Sequence, residues 1–182
     1  MNADSTPRYD RLYLDSTVLW HLARADVVGI VTETVENPRT SYAVRAELNR
    51  GVDAGYDSLL RALDCLAEPL DGPDAEGIAV AGSLVHQRKP ELLDRLAASE
   101  ASVLYQALAA GVPLAVDDAD VRAVADSYQV PVTGSLALVT RAVERDVLSV
   151  EAADRALEAW RAAEIGVPVD SVVDLLTDED GS

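Results

Sequence analysis

The sequence predicts an α/β fold, with a central parallel sheet of four or five strands and helices packed on both faces. Two observations predict it. Short apolar runs, too brief for helices, alternate with amphipathic stretches of helical spacing, the pattern of strand–helix–strand units. Acids also stand directly after the first and third of those runs, where open parallel sheets build their sites.

Residues 11–14 (Arg-Leu-Tyr-Leu) form the first strand after a polar leader and deliver Asp15 at its carboxyl end. Ser16 and Thr17 follow as capping residues, and Val18, Leu19, Leu22 and Ala23 begin an amphipathic helix. Asp15 reads either as a helix-terminus acid or as a metal ligand. A second helical stretch covers 27–35, after which Asn37-Pro38 predicts a turn. Thr40 and Ser41 precede a helix over 43–49 that Gly51 ends. Val44 and Leu48 mark its buried face, with Glu47 beside them.

Residues 57–66 make another amphipathic helix, and the single cysteine, Cys65, sits among its leucines as a core residue rather than a nucleophile. The stretch 68–77 is a loop rich in Pro, Gly and Asp, and 78–81 (Ile-Ala-Val-Ala) reads as the second strand. His86, Arg88 and Lys89 form the main basic patch. With no other histidine or cysteine at zinc spacing, a zinc site is excluded. Pro90 opens a short helix carrying Leu92, Leu93 and Leu96.

The organising stretch is 98–125. Ser99 is the expected N-cap of a helix with Ala101, Leu104, Tyr105 and Leu108 on one face, and Gly111 is its stop. Leu114-Ala115-Val116 is a buried strand, and an acidic tip of Asp117, Asp118 and Asp120 follows it, with Arg122 close by. Residues 129–133 supply a further strand whose Pro131 suits a sheet edge. Helices over 136–145 and 150–163 follow, Leu157 and Trp160 of the last being core or subunit contacts. The domain is expected to span 9–165, with an acidic tail over 166–182 and no internal repeat.

At 182 residues and 49% apolar, the chain makes one folded domain. No apolar run could cross a bilayer and no signal-peptide pattern opens the chain, so a cytoplasmic protein without membrane contact is expected. The formal net charge is -17, with 32 acids against 15 Lys plus Arg, and Lys89 is the only lysine. High salt screens self-repulsion of this size, and the composition resembles that of salt-accumulating halophilic archaea.

Asp15, Glu47, Glu100 and the acidic tip each place a carboxylate on a helix or at a strand end. Were they to converge, mutual repulsion would raise their pKa values unless a hard divalent cation such as Mg²⁺ or Mn²⁺ joined them. Such ions support phosphodiester cleavage. Chance clustering among 32 acids is the competing explanation. An aspartate-nucleophile phosphatase would need a second aspartate two residues after Asp15, where Thr17 stands, and no glycine-rich phosphate loop is present.

The segments LYLDSTVLWHLARA, SYAVRAELNRG and the run from Ala98 through Ser149 together resemble the PIN-domain family, closest to archaeal PIN proteins related to toxin ribonucleases. The resemblance covers roughly 12–163. It implies a three-layer α/β/α fold, commonly dimeric, and a Mg²⁺- or Mn²⁺-dependent endoribonuclease for single-stranded RNA, in many members a toxin held by a small antitoxin protein. Asp15, Glu47, Glu100 and Asp118 match the family's catalytic acids. Asp15, Glu100 and Asp118 are the implied metal ligands, with Asp117 and Asp120 in support. Ser16, Arg45, Arg50 and Arg122 are the residues expected to meet RNA. Val116 stands where the family usually has threonine. That departure leaves open the alternative of a catalytically silent PIN-fold module that binds RNA or protein.

Overall fold

The computed structural model describes residues 6–69 and 83–178. Its centre is a four-stranded, all-parallel sheet in the order β2-β1-β3-β4, with β1 at Tyr9–Leu14, β2 at Val35–Arg39, β3 at Leu114–Ala115 and β4 at Val132–Thr133. Consecutive residues Leu12, Tyr13 and Leu14 are all buried. Side chains alternate between faces along a strand, so both faces of the sheet are covered and the architecture is three-layer α/β/α.

Around the sheet run α1 (Ser16–Arg24), α2 (Ile30–Thr34), α3 (Tyr42–Asp53), α4 (Ser58–Asp64), α5 (Ser83–Arg88), a 3-10 turn at Pro90–Leu92, α6 (Ala98–Ala110), α7 (Ala119–Ser127), α8 (Ser135–Glu144), α9 (Val150–Ala162) and α10 (Val173–Asp178). One continuous core joins β1 and β3 to Leu19 and Leu22 of α1, Val103 and Leu104 of α6, Leu138 of α8, and Leu157 and Trp160 of α9. Trp160 is core, as its spacing predicts, and its indole N–H donates to the His21 carbonyl at 2.8 Å. Beyond residue 165 the chain runs back over α9, where Asp154 accepts from the Ser171 hydroxyl and the Val172 N–H, and Val172 is buried. Among the described residues no helix is long and apolar enough to cross a membrane.

Four local expectations are corrected. The turn predicted at Asn37-Pro38 is instead the middle of β2, and the helix before it ends at Thr34. Proline is tolerated because β2 is an edge strand among the described residues. The Pro38 carbonyl accepts from Ala67 N–H on the side away from β1, and a strand residue's N and C=O point the same way. The missing donor is therefore one that β1 would not have used.

Gly51 does not end α3. It lies within the helix at a close approach, where a Cβ would come 2.5 Å from Leu59 Cδ1 and 2.8 Å from the Trp20 ring. The cap of α6 is Ala97 rather than Ser99. Glu100, three positions on, accepts from Ala97 N–H at 2.9 Å, the carboxylate half of a capping box whose other half alanine cannot supply. Gly111 does stop that helix, in the left-handed conformation at φ 64°. Residues 90–92 close a 3-10 turn where a short α-helix is expected. The strand expected over 78–81 lies outside the described residues.

Candidate active site

The strand order places a topological switch between β1 and β3, since the chain leaves β1 toward β2 on one side and β3 toward β4 on the other. The carboxyl ends of all four strands are laced together there. Thr40 Oγ donates to the Leu14 carbonyl at 2.7 Å, Asp15 N–H to Ala115 O at 2.9 Å, and Val116 N–H to Thr133 O at 3.0 Å. Arg122 extends Nη1 to the carbonyls of both Val116 (2.7 Å) and Thr133 (2.9 Å), so that part of its guanidinium holds the site's frame.

Asp15 leaves β1 into this crevice with no solvent exposure and caps α1. Its Oδ2 accepts from the Thr17 hydroxyl at 2.7 Å and from Thr17 N–H at 3.3 Å. Its Oδ1 is buried without a hydrogen-bond partner. Burial pushes the Asp15 carboxyl above the usual aspartate range, the Thr17 and Ser16 hydrogen bonds pull against that, and the charge of Glu100 adds to the rise. Ser16 is buried in the first turn of α1.

Asp117 follows β3 and is held differently. Oδ1 accepts from Ser135 N–H at 2.9 Å, at the start of α8, and Oδ2 lies 2.6 Å from His21 Nδ1. A carboxylate only accepts, so the His21 Nδ1 carries the proton. Burial alone would raise the Asp117 carboxyl, but the His21 and Ser135 hydrogen bonds outweigh it and hold the group below the ordinary range. Gly134 makes room for this arrangement, since a Cβ there would lie 2.6 Å from Asp117 Oδ1. Asp118 caps α7, its Oδ1 accepting from Asp120 N–H at 2.9 Å and Val121 N–H at 3.0 Å. Three helix N-termini thus face the acids with their positive dipole ends.

A cleft of about 510 Å³ opens beside these groups. Thr17, His21, Asp117, Asp118 and Ser135 form its polar side, and Leu136, Trp160 and the segment Ile165-Gly166-Val167 its other side.

The sequence-predicted residues divide as follows. Asp117 and Asp118 meet at this cleft, and Asp15, which caps α1 by accepting from the lining residue Thr17, feels the charge of Glu100. Glu47 is half-buried on α3, the helix packed against α6. Asp120 is exposed on the first turn of α7. Arg45 is partly exposed, 3.5 Å from Glu68, and Arg50 is exposed near the end of α3. Among the described residues no three His, Cys, Asp or Glu side chains are grouped closely enough to hold a metal ion by themselves. The donor chemistry nonetheless suits a hard cation, because the orphaned Asp15 Oδ1 is a buried carboxylate oxygen within reach of the Glu100 charge, and Mg²⁺ completes its shell largely with water.

His21 and Ser135 were missed in the sequence. His21 stands four residues after Thr17, one helical turn along α1 from the residue that holds the capping acid, which is the available signal.

Comparisons with curated proteins and with solved structures find no match. A family model described as PIN domain matches residues 12–177, nearly the whole of the fold and all of the acids above. The chain belongs to the PIN-domain family, whose members are generally nucleases.

Proposed function

We propose that the protein is a Mg²⁺- or Mn²⁺-dependent endoribonuclease acting on single-stranded RNA. The observation that carries the reading is Asp15, a fully buried carboxylate at the switch point whose Oδ1 has no partner. A buried, unpartnered anionic oxygen is costly, and a cation is the natural partner to relieve it. Asp15 would bind the ion directly, with Glu100 and Asp118 completing the site through water, Glu47 orienting the attacking water, and Asp117 and Asp120 in support. When bound, the ion supplies an activated water and neutralises charge on the scissile phosphate.

The chain's own residues do the rest. Thr17 holds Oδ2 of Asp15, leaving Oδ1 as the free donor. Asp118 fixes the start of α7, and Ser135 and His21 hold Asp117 in place. With a net charge of -17, RNA must approach along a local cationic rim. Arg45, Arg50 and Arg122 supply it, with Ser16 near the scissile phosphate. Dimer formation and a small antitoxin partner belong to the same reading. A protein contact is supported by the exposed Tyr56 and Leu60, Tyr56 lying edge-on to Trp20 at 4.9 Å.

The test is Mn²⁺-dependent cleavage of a labelled single-stranded RNA pool at high KCl, beside an Asp15→Asn, Asp118→Asn double variant. Cleavage lost in the variant is expected. Equal cleavage by both proteins would refute the reading. RNA binding without cleavage by either would favour the silent module, for which the absent hydroxyl at Val116 is the specific observation.

A further inference from the structure

The cleft beside the acids is larger than cation binding requires, and its two sides differ in chemistry. Its volume of about 510 Å³ falls within the range of small-molecule sites, roughly 300–1,000 Å³. One side is apolar, built by Leu136, Trp160, Ile165 and Val167. The other presents hydrogen-bonding groups. Asp117 holds a proton on His21 Nδ1, which leaves His21 Nε2 and the oxygen of the Ser135 hydroxyl as the hydrogen-bonding groups of this side.

Charge decides what part of a substrate can enter. The lining includes Asp117 and Asp118 but neither arginine nor lysine. Asp117 and Asp118 already occupy the N-termini of α8 and α7, so a further anion is disfavoured there, whereas an uncharged group with an apolar face and a hydrogen-bonding edge is not. The adjoining cleft of about 410 Å³, which shares Asp117, sets Arg122 and Arg141 against Asp117 and Glu144 and, with cations present, is the better side for an anionic backbone.

We propose that this cleft is a nucleoside subsite: it takes the base and ribose of one nucleotide of the RNA, the base against the apolar side and the ribose or base edge on His21 and Ser135, with the phosphate left outside. The assignment rests on the ribonuclease reading for its biological meaning, but its binding chemistry can be measured independently.

The fold supplies a reporter. The chain has two tryptophans; Trp160 lines the cleft and Trp20 packs elsewhere, against Tyr56. The ¹⁵N-labelled full chain, in EDTA and high KCl, is titrated with each of the four ribonucleosides, with inorganic phosphate and with N-acetylarginine amide. The expected result is a saturable shift of the Trp160 indole signal with at least one nucleoside at millimolar concentration, Trp20 unmoved. Gly166→Phe tests the location, because Gly166 lines the cleft, has an ordinary backbone and a Cβ there meets nothing within 4 Å. It should weaken nucleoside binding by at least about tenfold, and Ile165→Ala severalfold, with both spectra otherwise native.

No saturable Trp160 shift with any nucleoside would overturn the assignment, as would an unchanged affinity in a folded Gly166→Phe protein. A comparable response to phosphate would refute the charge argument, and a stronger response to the arginine probe would give the cleft to a cationic protein side chain. Since no metal is present, nucleoside binding without Mn²⁺-dependent cleavage would sink the ribonuclease reading alone, and cleavage without nucleoside binding would sink the subsite alone.

Discussion

Asp15→Asn should stabilise the metal-free protein at neutral pH while removing the proposed cation ligand. Asp15 is fully buried, one oxygen lacks a partner, and burial together with the Glu100 charge raises its pKa. Leaving such a group unsatisfied costs about 1–3 kcal/mol, more when it is charged. Asparagine is as good an N-cap as aspartate and can keep the Thr17 contact, but it leaves one polar atom orphaned, so only the charge penalty is relieved. A gain of about 1 kcal/mol follows, or ~2–4 °C in Tm for a chain of this size.

The pH dependence has a definite sign. A carboxyl whose pKa is raised in the folded state favours folding below its unfolded value, about 3.9, and that contribution is lost as pH rises through the folded value. The variant's advantage should therefore be full above the raised Asp15 pKa and shrink as pH falls toward the ordinary aspartate range. The assay is thermal unfolding of both proteins in EDTA and high KCl across pH 4–8, read as the difference between them so that the remaining acids cancel. A variant less stable at pH 7, or a difference that does not change with pH, would refute the reasoning.

Other outcomes follow from the same packing. Gly134→Ala brings a Cβ within 2.6 Å of Asp117 Oδ1 and should cost about 1–3 kcal/mol in urea melts. Much of that loss should vanish in an Asp117→Ala background, a non-additivity that a double-mutant cycle reads directly. Gly51→Ala meets Leu59 and Trp20 at 2.5 and 2.8 Å and should also lose about 1–3 kcal/mol, measured by thermal unfolding, although glycine-to-alanine in a helix interior is otherwise favourable. Cys65 is half-buried, and burial, with the Asp64 charge, pushes its thiol upward. Labelling by a thiol reagent at pH 8 should be slow in the folded protein and fast in denaturant. Native labelling as fast as denatured would contradict that placement.

What was legible in the sequence was local. β1, β3, β4 and helices α6, α8 and α9 follow from spacing within a dozen residues, and Asp15 and Asp118 are visible because strand ends are visible. β2 was not legible, since Asn37-Pro38 carries a strong turn signal and only the sheet order makes its proline harmless. Gly51 looked like a stop because a sequence cannot show Leu59 and Trp20 pressing on it. The His21–Asp117 bond spans 96 positions, beyond any periodicity. The lining from Ile165, Gly166 and Val167 was likewise invisible, because that segment has no regular structure and is placed by its return over α9.

The most direct test of the central claim, that the free oxygen of Asp15 is a cation ligand, is Mn²⁺ binding followed by electron paramagnetic resonance, wild type beside Asp15→Asn. The account predicts that the wild-type chain depletes the free Mn²⁺ signal saturably at high KCl and that Asp15→Asn, though folded, weakens binding by an order of magnitude or more. Equal Mn²⁺ binding by the two proteins would contradict it.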